Sequence, residues 1–291
     1  MEIFAIRIAS LIVIGLIYML FDLFNRRNIP SWFVYSAFVY GVLLTLLYFN
    51  LSIIFVSAAI AAFVFAIGYF VYRNGYLGAG DVFEFATLSL ILPFQSAPLL
   101  LGVGQLGLPF IVSVFMAAGI AALIIIPIYY LPKAHIKTAR IGKDITSGDA
   151  ARAVLIGLVY LLFGIFLILD VGVGFIGIAV LVLLMLGSVM IMLFQRIIAR
   201  SMVKYVGVSR FEEGDMIATN LMAPSAIAAS TKQIKSFGRL VTPELIKEMR
   251  RKRITTKFPV YKNAVPLAAP IFIGIVAALL FGNIILFLLM P

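Results

Sequence analysis

Uninterrupted apolar runs, separated by short polar or basic clusters, set the pattern of this chain. They cover roughly residues 3–21, 32–49, 52–72, 82–101, 109–131, 153–169, 174–195 and 264–289. Each is near the length of about 20 apolar residues that a helix needs to cross the hydrocarbon of a bilayer. The pattern predicts an all-α fold, a polytopic transmembrane helix bundle of about eight spans. One long stretch, from Arg196 to Lys262, has no such run and is expected to be a larger cytoplasmic loop region. Residues 1–195 then form the membrane bundle, 196–262 a basic loop region and 263–291 a C-terminal transmembrane helix. The loop region is short and poor in large apolar residues, so it is not expected to stand as an independent domain. Within it, Thr242-Pro243-Glu244 carries helix-start chemistry and predicts a short amphipathic helix near the membrane surface.

The fourth span carries an internal tension. Its segment Val82 to Pro93 has 12 residues, about 18 Å of helix. Either the run continues past Pro93 and Pro98 to cross the bilayer, or Asp81, just before it, is sunk below the surface.

Composition supports the membrane reading. The chain is 64% hydrophobic and 12% charged, where a soluble domain is about 45–50% apolar and about 25% charged. It has no cysteine, which excludes disulfides, thiolate zinc sites and cysteine nucleophiles. The single histidine, His135, builds no histidine metal cluster, and neither a metal nor a cofactor is expected. Residues 3–21 are too long for a removable signal peptide and lack its small-residue cleavage site, so they read as a permanent helix.

The net charge of +11 is informative through its placement. Of the 23 Lys and Arg, all but Arg7 fall in four connections: Arg26 and Arg27; Arg73; Lys133 to Arg152; and Arg196 to Lys262. The alternate connections hold none. The positive-inside rule then puts every basic segment in the cytoplasm and both termini outside, in a multi-pass protein of the cell membrane. The charge is read as topology and attraction to anionic lipid, with no nucleic-acid partner.

Two matches to GxGxxG, Gly102 to Gly107 and Gly172 to Gly177, lack both the βαβ setting and the acidic residue about 20 positions on that a dinucleotide site needs. They read as an external turn and as small residues easing helix packing. Carboxylates say more, because ionisable groups in a membrane are costly and tend to be functional. Asp22, Asp81, Glu84 and Asp170 lie within or at the ends of the spans. Asp170 falls on the opposite side from the others and reads as a solvated residue in a turn. Asp22 and Asp81, 59 positions apart, arrive at the same depth on the cytoplasmic side. Asp22 ends the first helix, where it faces the negative end of the macrodipole. It is either paired with Arg26 one turn on or held as one of two carboxylates sharing a proton. Asp81 follows Tyr76-Leu77-Gly78-Ala79-Gly80, and glycines there allow special backbone angles and close approach of another chain. It is either a helix cap with Glu84 as the returning partner of a capping box or the second carboxylate of an acid–base pair.

FDLFNRRNIP after the first helix, GAGD before the fourth and Val265-Pro266-Leu267-Ala268-Ala269-Pro270 opening the last resemble the GxGD membrane aspartyl proteases. The likeness is to archaeal prepilin and preflagellin peptidases of the type IV prepilin peptidase superfamily. It is strong over about residues 1–110 and weaker beyond. The resemblance implies a membrane aspartic endopeptidase with Asp22 and Asp81 as the catalytic pair and Gly78 and Gly80 shaping the active-site loop. Its substrates would be pilin-like or flagellin-like precursors, cut between a short basic leader and a hydrophobic segment at the cytoplasmic face. Many members carry lysine two residues after the second Asp, where this chain has Phe83. The cysteine-rich zinc-binding region of bacterial enzymes, which also N-methylate their product, has no counterpart here, so no methyltransferase activity is expected.

A basic leader needs acidic contacts, since the segment from Arg196 to Lys262 holds 14 basic and five acidic residues. Glu212, Glu213 and Asp215 form the acidic cluster of the cytoplasmic segments, with Glu84 as a second candidate for substrate binding or tuning. The same cluster also reads as a solvated acidic turn. The rival functional class is a proton-coupled transporter using the same carboxylates. Transporters hold such groups near the midplane of repeated halves, whereas this pair is at the edge with no visible repeat. The particular precursor and the oligomeric state stay open.

Overall fold

The computed structural model describes residues 2–25, 29–48, 50–94, 108–137, 145–234, 237–262 and 267–282. Helices dominate: α1 (Glu2–Phe24), α2 (Ser31–Leu46), α3 (Leu51–Arg73), α4 (Ala79–Ile91), α5 (Phe110–Lys137), α6 (Ser147–Phe166), α7 (Phe175–Met202) and α10 (Ala268–Phe281) form the apolar part. Among the described residues, five stretches are long and apolar enough to cross a membrane: Ile3–Phe24, Leu51–Arg73, Phe110–Pro132, Ser147–Asp170 and Phe175–Met202. The apolar helices α2 and α10 are shorter. The chain is thus an all-α polytopic bundle, built of unequal spans.

Its core lies where α1, α2, α4, α5 and α10 meet, around Leu11, Tyr18, Phe33, Leu88, Phe110, Val114, Ile271 and Ile275. From Glu84 to Ile91 every residue of α4 is buried. Helices α6 and α7 pack on each other and join the bundle through contacts of α7 with α5. Their outer faces expose Leu162, Phe163, Leu169 and Phe175, side chains suited to lipid.

The expected fourth span is not one continuous helix. α4 stops at Ile91, because Pro93 lacks the N–H that would extend it and forces Leu92 out of helical geometry, to φ −136° and ψ 86°. The 95–101 part of that span lies outside the described residues. A helix ending inside a bundle exposes carbonyls that need donors. Arg7, the one cation outside the basic connections, supplies them. Its Nη1 donates to Ile91 O at 2.7 Å and its Nη2 to Leu44 O at the end of α2. The guanidinium also lies 3.7 Å from the ring centroid of Tyr48. Thr45 Oγ1 adds a bond to Leu90 O at 2.9 Å. One buried arginine thereby satisfies the negative ends of two helices.

The loop region departs from expectation in a second way. α7 continues to Met202, seven residues past the anticipated boundary, and residues 204–262 then form a small folded unit. Strands β1 (Lys204–Gly207) and β2 (Lys257–Val260) pair antiparallel, with Lys204 opposite Val260. With them come α8 (Pro224–Gln233) and α9 (Pro243–Arg251), the latter capped by Thr242 Oγ1, which accepts from Leu245 N. Val208, Phe211, Ile217, Ile234, Val241, Leu245, Met249, Phe258 and Val260 build its own hydrophobic core. Its large apolar residues are few but spaced to converge, which a count by composition misses.

Candidate active site

Asp22 sits in the last turn of α1 with 7% of its surface exposed. Its own helix offers a negative dipole end, yet its Oδ2 accepts the N–H of Ala268, the first residue of α10, at 3.0 Å. The positive end of α10 therefore answers the carboxylate. This explains why the Pro-Leu-Ala-Ala-Pro segment matters: it starts a helix whose first N–H points at Asp22. Val265 and Pro266 lie outside the described residues, as does Arg26, the partner considered for Asp22 on local grounds.

Asp81 is half-buried in the first turn of α4. It is not the cap. The helix begins three residues earlier than the local pattern suggested, with Gly78 at the N-cap, and Asp81 Oδ2 accepts the Gly78 N–H at 3.0 Å. Neither Gly78 nor Gly80 has a positive φ, so the glycines serve here through space. A Cβ at Gly78 would stand 2.9 Å from Asp81 Oδ2, and one at Gly80 would stand 3.0 Å from Ile29 Cδ1.

Glu84 does not cap the helix either. It points into the bundle with no exposed surface, and neither carboxyl oxygen has a hydrogen-bond partner among the described residues. The hydroxyls of Tyr18 and Thr87 are buried as well, and neither has a hydrogen-bond partner among the described residues. Tyr18 is one turn below Asp22 and Glu84 one turn below Asp81. The three carboxyls interact electrostatically. The helices thus bring Asp22, Asp81 and Glu84 into one locale, with Tyr18 and Thr87 added. Helical spacing of four and three residues is the signal by which the sequence could have yielded these last two.

Phe83, at the position where many members of the resembled family carry lysine, packs edge-on against Tyr35, Phe38 and Phe65, at ring centroid distances of 5.5, 5.8 and 5.3 Å. It wedges α4 against α2 and α3, a role for which a lysine ammonium has no partner there.

The acidic cluster lies in the small unit, apart from these groups in sequence. Lys262 Nζ bridges it, 2.6 Å from Glu212 Oε2 and 2.8 Å from Asp215 Oδ1. Partial burial alone would lower the Lys262 pKa, but the hydrogen bonds and charge of Asp215 and Glu212 outweigh it and hold the ammonium above its ordinary value. Asp215 Oδ2 also accepts the Glu212 N–H at 2.9 Å, closing the turn. Glu213 is exposed and lies within electrostatic range of Tyr72 at the end of α3. The cluster therefore faces the same end of the bundle as Asp81.

Two other sequence features take their places. Asp170 is exposed in a π-helical turn, Leu167–Val171, that ends at Gly172 with φ 72°. The Gly102 to Gly107 motif lies outside the described residues. Among the described residues no cluster of His, Asp and Glu has the grouping of a metal site.

A seam in which the end of α1 and the start of α4 each deliver a carboxylate, at the mouth of a bundle of unequal helices, falls within one recognised block of sequence. Residues 9–128 match the type IV leader peptidase family. The block contains Asp22, Asp81 and Glu84 and stops before α6, α7, the small unit and α10. No curated protein and no solved structure matches the chain. The matched family is one of leader peptidases, and the apolar helices have the length and composition of a multi-pass membrane protein.

Proposed function

We propose that the chain is a membrane aspartic endopeptidase in which Asp22 and Asp81 are the catalytic pair. One observation carries this reading: two carboxylates from distant parts of the sequence stand at the end of α1 and the start of α4, helices that pack on each other, inside the matched block. One carboxylate takes a proton from water as the oxygen attacks the scissile carbonyl carbon. The other gives its proton to the carbonyl oxygen. Collapse of the tetrahedral intermediate breaks the C–N bond, and the departing nitrogen takes a proton from the pair. The Ala268 N–H fixes Asp22 and the Gly78 N–H fixes Asp81, so neither side chain swings. Glu84 tunes the pair from one turn deeper. Water activation rests on the carboxylates, so chelators leave the rate unchanged and no methyl donor is used.

The distribution of basic residues supports a cytoplasmic active site with both termini outside, and basic patches that attract anionic lipid. The substrates are precursors with a basic leader ahead of a hydrophobic segment, of the pilin-like or flagellin-like kind. Glu212 and Asp215 hold Lys262, which leaves Glu213 as the member of the acidic cluster assigned to the leader's Lys or Arg.

The test is cleavage of such a precursor by purified full-length protein in detergent, where no ion gradient exists and a transporter has no task. Asp22→Asn and Asp81→Asn are each expected to lower turnover about 10³-fold or more, because groups acting as a unit fail together. Both variants are expected to remain folded and inserted. Near wild-type turnover by either variant would overturn the assignment.

A further inference from the structure

The family block ends before the small unit begins, yet that unit is built against the loop that leads into Asp81. Arg239 makes the contact. Its guanidinium carbon lies 4.2 Å from the ring centroid of Tyr76 and 5.9 Å from that of Tyr261. Its aliphatic stem lies on Gly75, where an added Cβ would stand 2.9 Å from Arg239 Cγ. Gly75 also has φ +70°, which disfavours any side chain. Arg239 Nε is buried with no hydrogen-bond partner, and no carboxylate pairs with this arginine among the described residues. A cation placed this way is held by aromatic faces.

Both sides of the contact are anchored. On the unit's side, Ile217 N donates to Arg239 O at 2.7 Å, and Tyr261 N donates to Met216 O at 2.9 Å. Tyr261 Oη reaches Asn220 Oδ1 at 2.7 Å, which fixes the second ring. On the bundle's side, Gly75 N donates to Tyr72 O and Tyr76 N to Val71 O, so the loop leaves α3 in a defined turn. Five residues after Tyr76 comes Asp81, tied back to Gly78.

We infer that the unit of residues 204–262 positions the active-site loop Gly75–Gly80, with Arg239 on Tyr76 as the contact through which it acts. Arg239 touches neither substrate nor reacting atoms; it holds the backbone that presents Asp81. The inference rests on the protease reading for its consequence in turnover, but not for its structural part.

Amide hydrogen exchange on the full-length protein, read by mass spectrometry alongside cleavage, tests it. In Arg239→Ala, exchange across residues 76–80 is expected to rise about three-fold, the size of one cation–π contact to an exposed ring. Exchange in α6 and α7 stays unchanged. Turnover falls by a similar factor with little change in KM. Because Arg239→Ala could loosen the unit itself, Tyr76→Leu provides a second variant that leaves the unit intact and is expected to behave alike. Tyr76→Phe keeps the ring and is expected to match wild type, and Arg239→Lys to recover part of the loss. Unchanged exchange across 76–80 in Tyr76→Leu, a Tyr76→Phe variant as damaged as Tyr76→Leu, or a loosened loop with full turnover would each overturn the inference. A wild-type protein that cleaves no precursor would defeat the protease reading, while the exchange result would still decide whether the unit holds the loop.

Discussion

Two buried carboxylates in this molecule have opposite surroundings. Asp149, at the start of α6, is 2% exposed and fully engaged. It accepts from Thr146 Oγ1 at 2.7 Å and from Gln195 Nε2 at 2.8 Å, and pairs with Arg196 Nε at 3.1 Å. Glu84, in the middle of the bundle, has no exposure and no hydrogen-bond partner among the described residues. The first is a clasp that fixes the base of the α6–α7 hairpin, to which Tyr160 Oη and Ser188 Oγ, 3.2 Å apart, add a second polar contact. The second does nothing for the fold that a hydrocarbon would not do better, because a buried polar group without a partner costs stability. The difference teaches where to look for function: at the acid that packing does not explain, which is also the one beside Asp22 and Asp81.

That contrast can be broken by substitution. The largest stability effect is expected at the clasp. Asp149→Leu leaves Arg196, Gln195 and Thr146 without their shared acceptor, so thermal unfolding in detergent shifts down by several degrees while turnover of the surviving protein holds. Loss of activity at unchanged stability would place Asp149 in the chemistry instead.

At Glu84 the signs reverse. Glu84→Leu removes the unanswered carboxyl, and is expected to leave stability unchanged or raise it, by up to about 1–3 kcal/mol. Turnover is expected to fall about ten-fold, far less than for either aspartate, and Glu84→Gln to fall less than Glu84→Leu. A severe loss of stability in both variants would show that the Glu84 carboxyl holds the fold together, as that of Asp149 does. A loss as deep as that of Asp81→Asn would make Glu84 a member of the catalytic group.

The smallest effect is expected at an acid that neither packs nor clasps. Glu213→Lys is expected to raise the KM for a basic leader about three-fold at low salt, and less at physiological salt, where screening sets in beyond about 8 Å. Turnover stays the same. An identical KM for basic and neutral leaders in both proteins would return the cluster to a solvated turn.

The sequence by itself determined the helical membrane class, the grouping of cations in alternate connections and the two aspartates worth naming. Those features follow from the length and polarity of segments, which a bilayer reads almost directly. Even so, α4 was legible only as a conflict between a short segment and two prolines. The structure resolved it by ending the helix at Ile91 and bringing Arg7, 84 positions earlier, to its carbonyls. The partner of Asp22 was out of reach for the same reason. Ala268 lies 246 residues away, and a dipole of one helix answering the end of another depends on where the two axes meet. The small unit's core escaped because its apolar residues have no long periodic run and converge only through the pairing of β1 with β2. Local pattern fixes which segments become helices. Which buried polar groups find partners is decided by contacts between segments far apart in the chain, and no spacing along the chain encodes them.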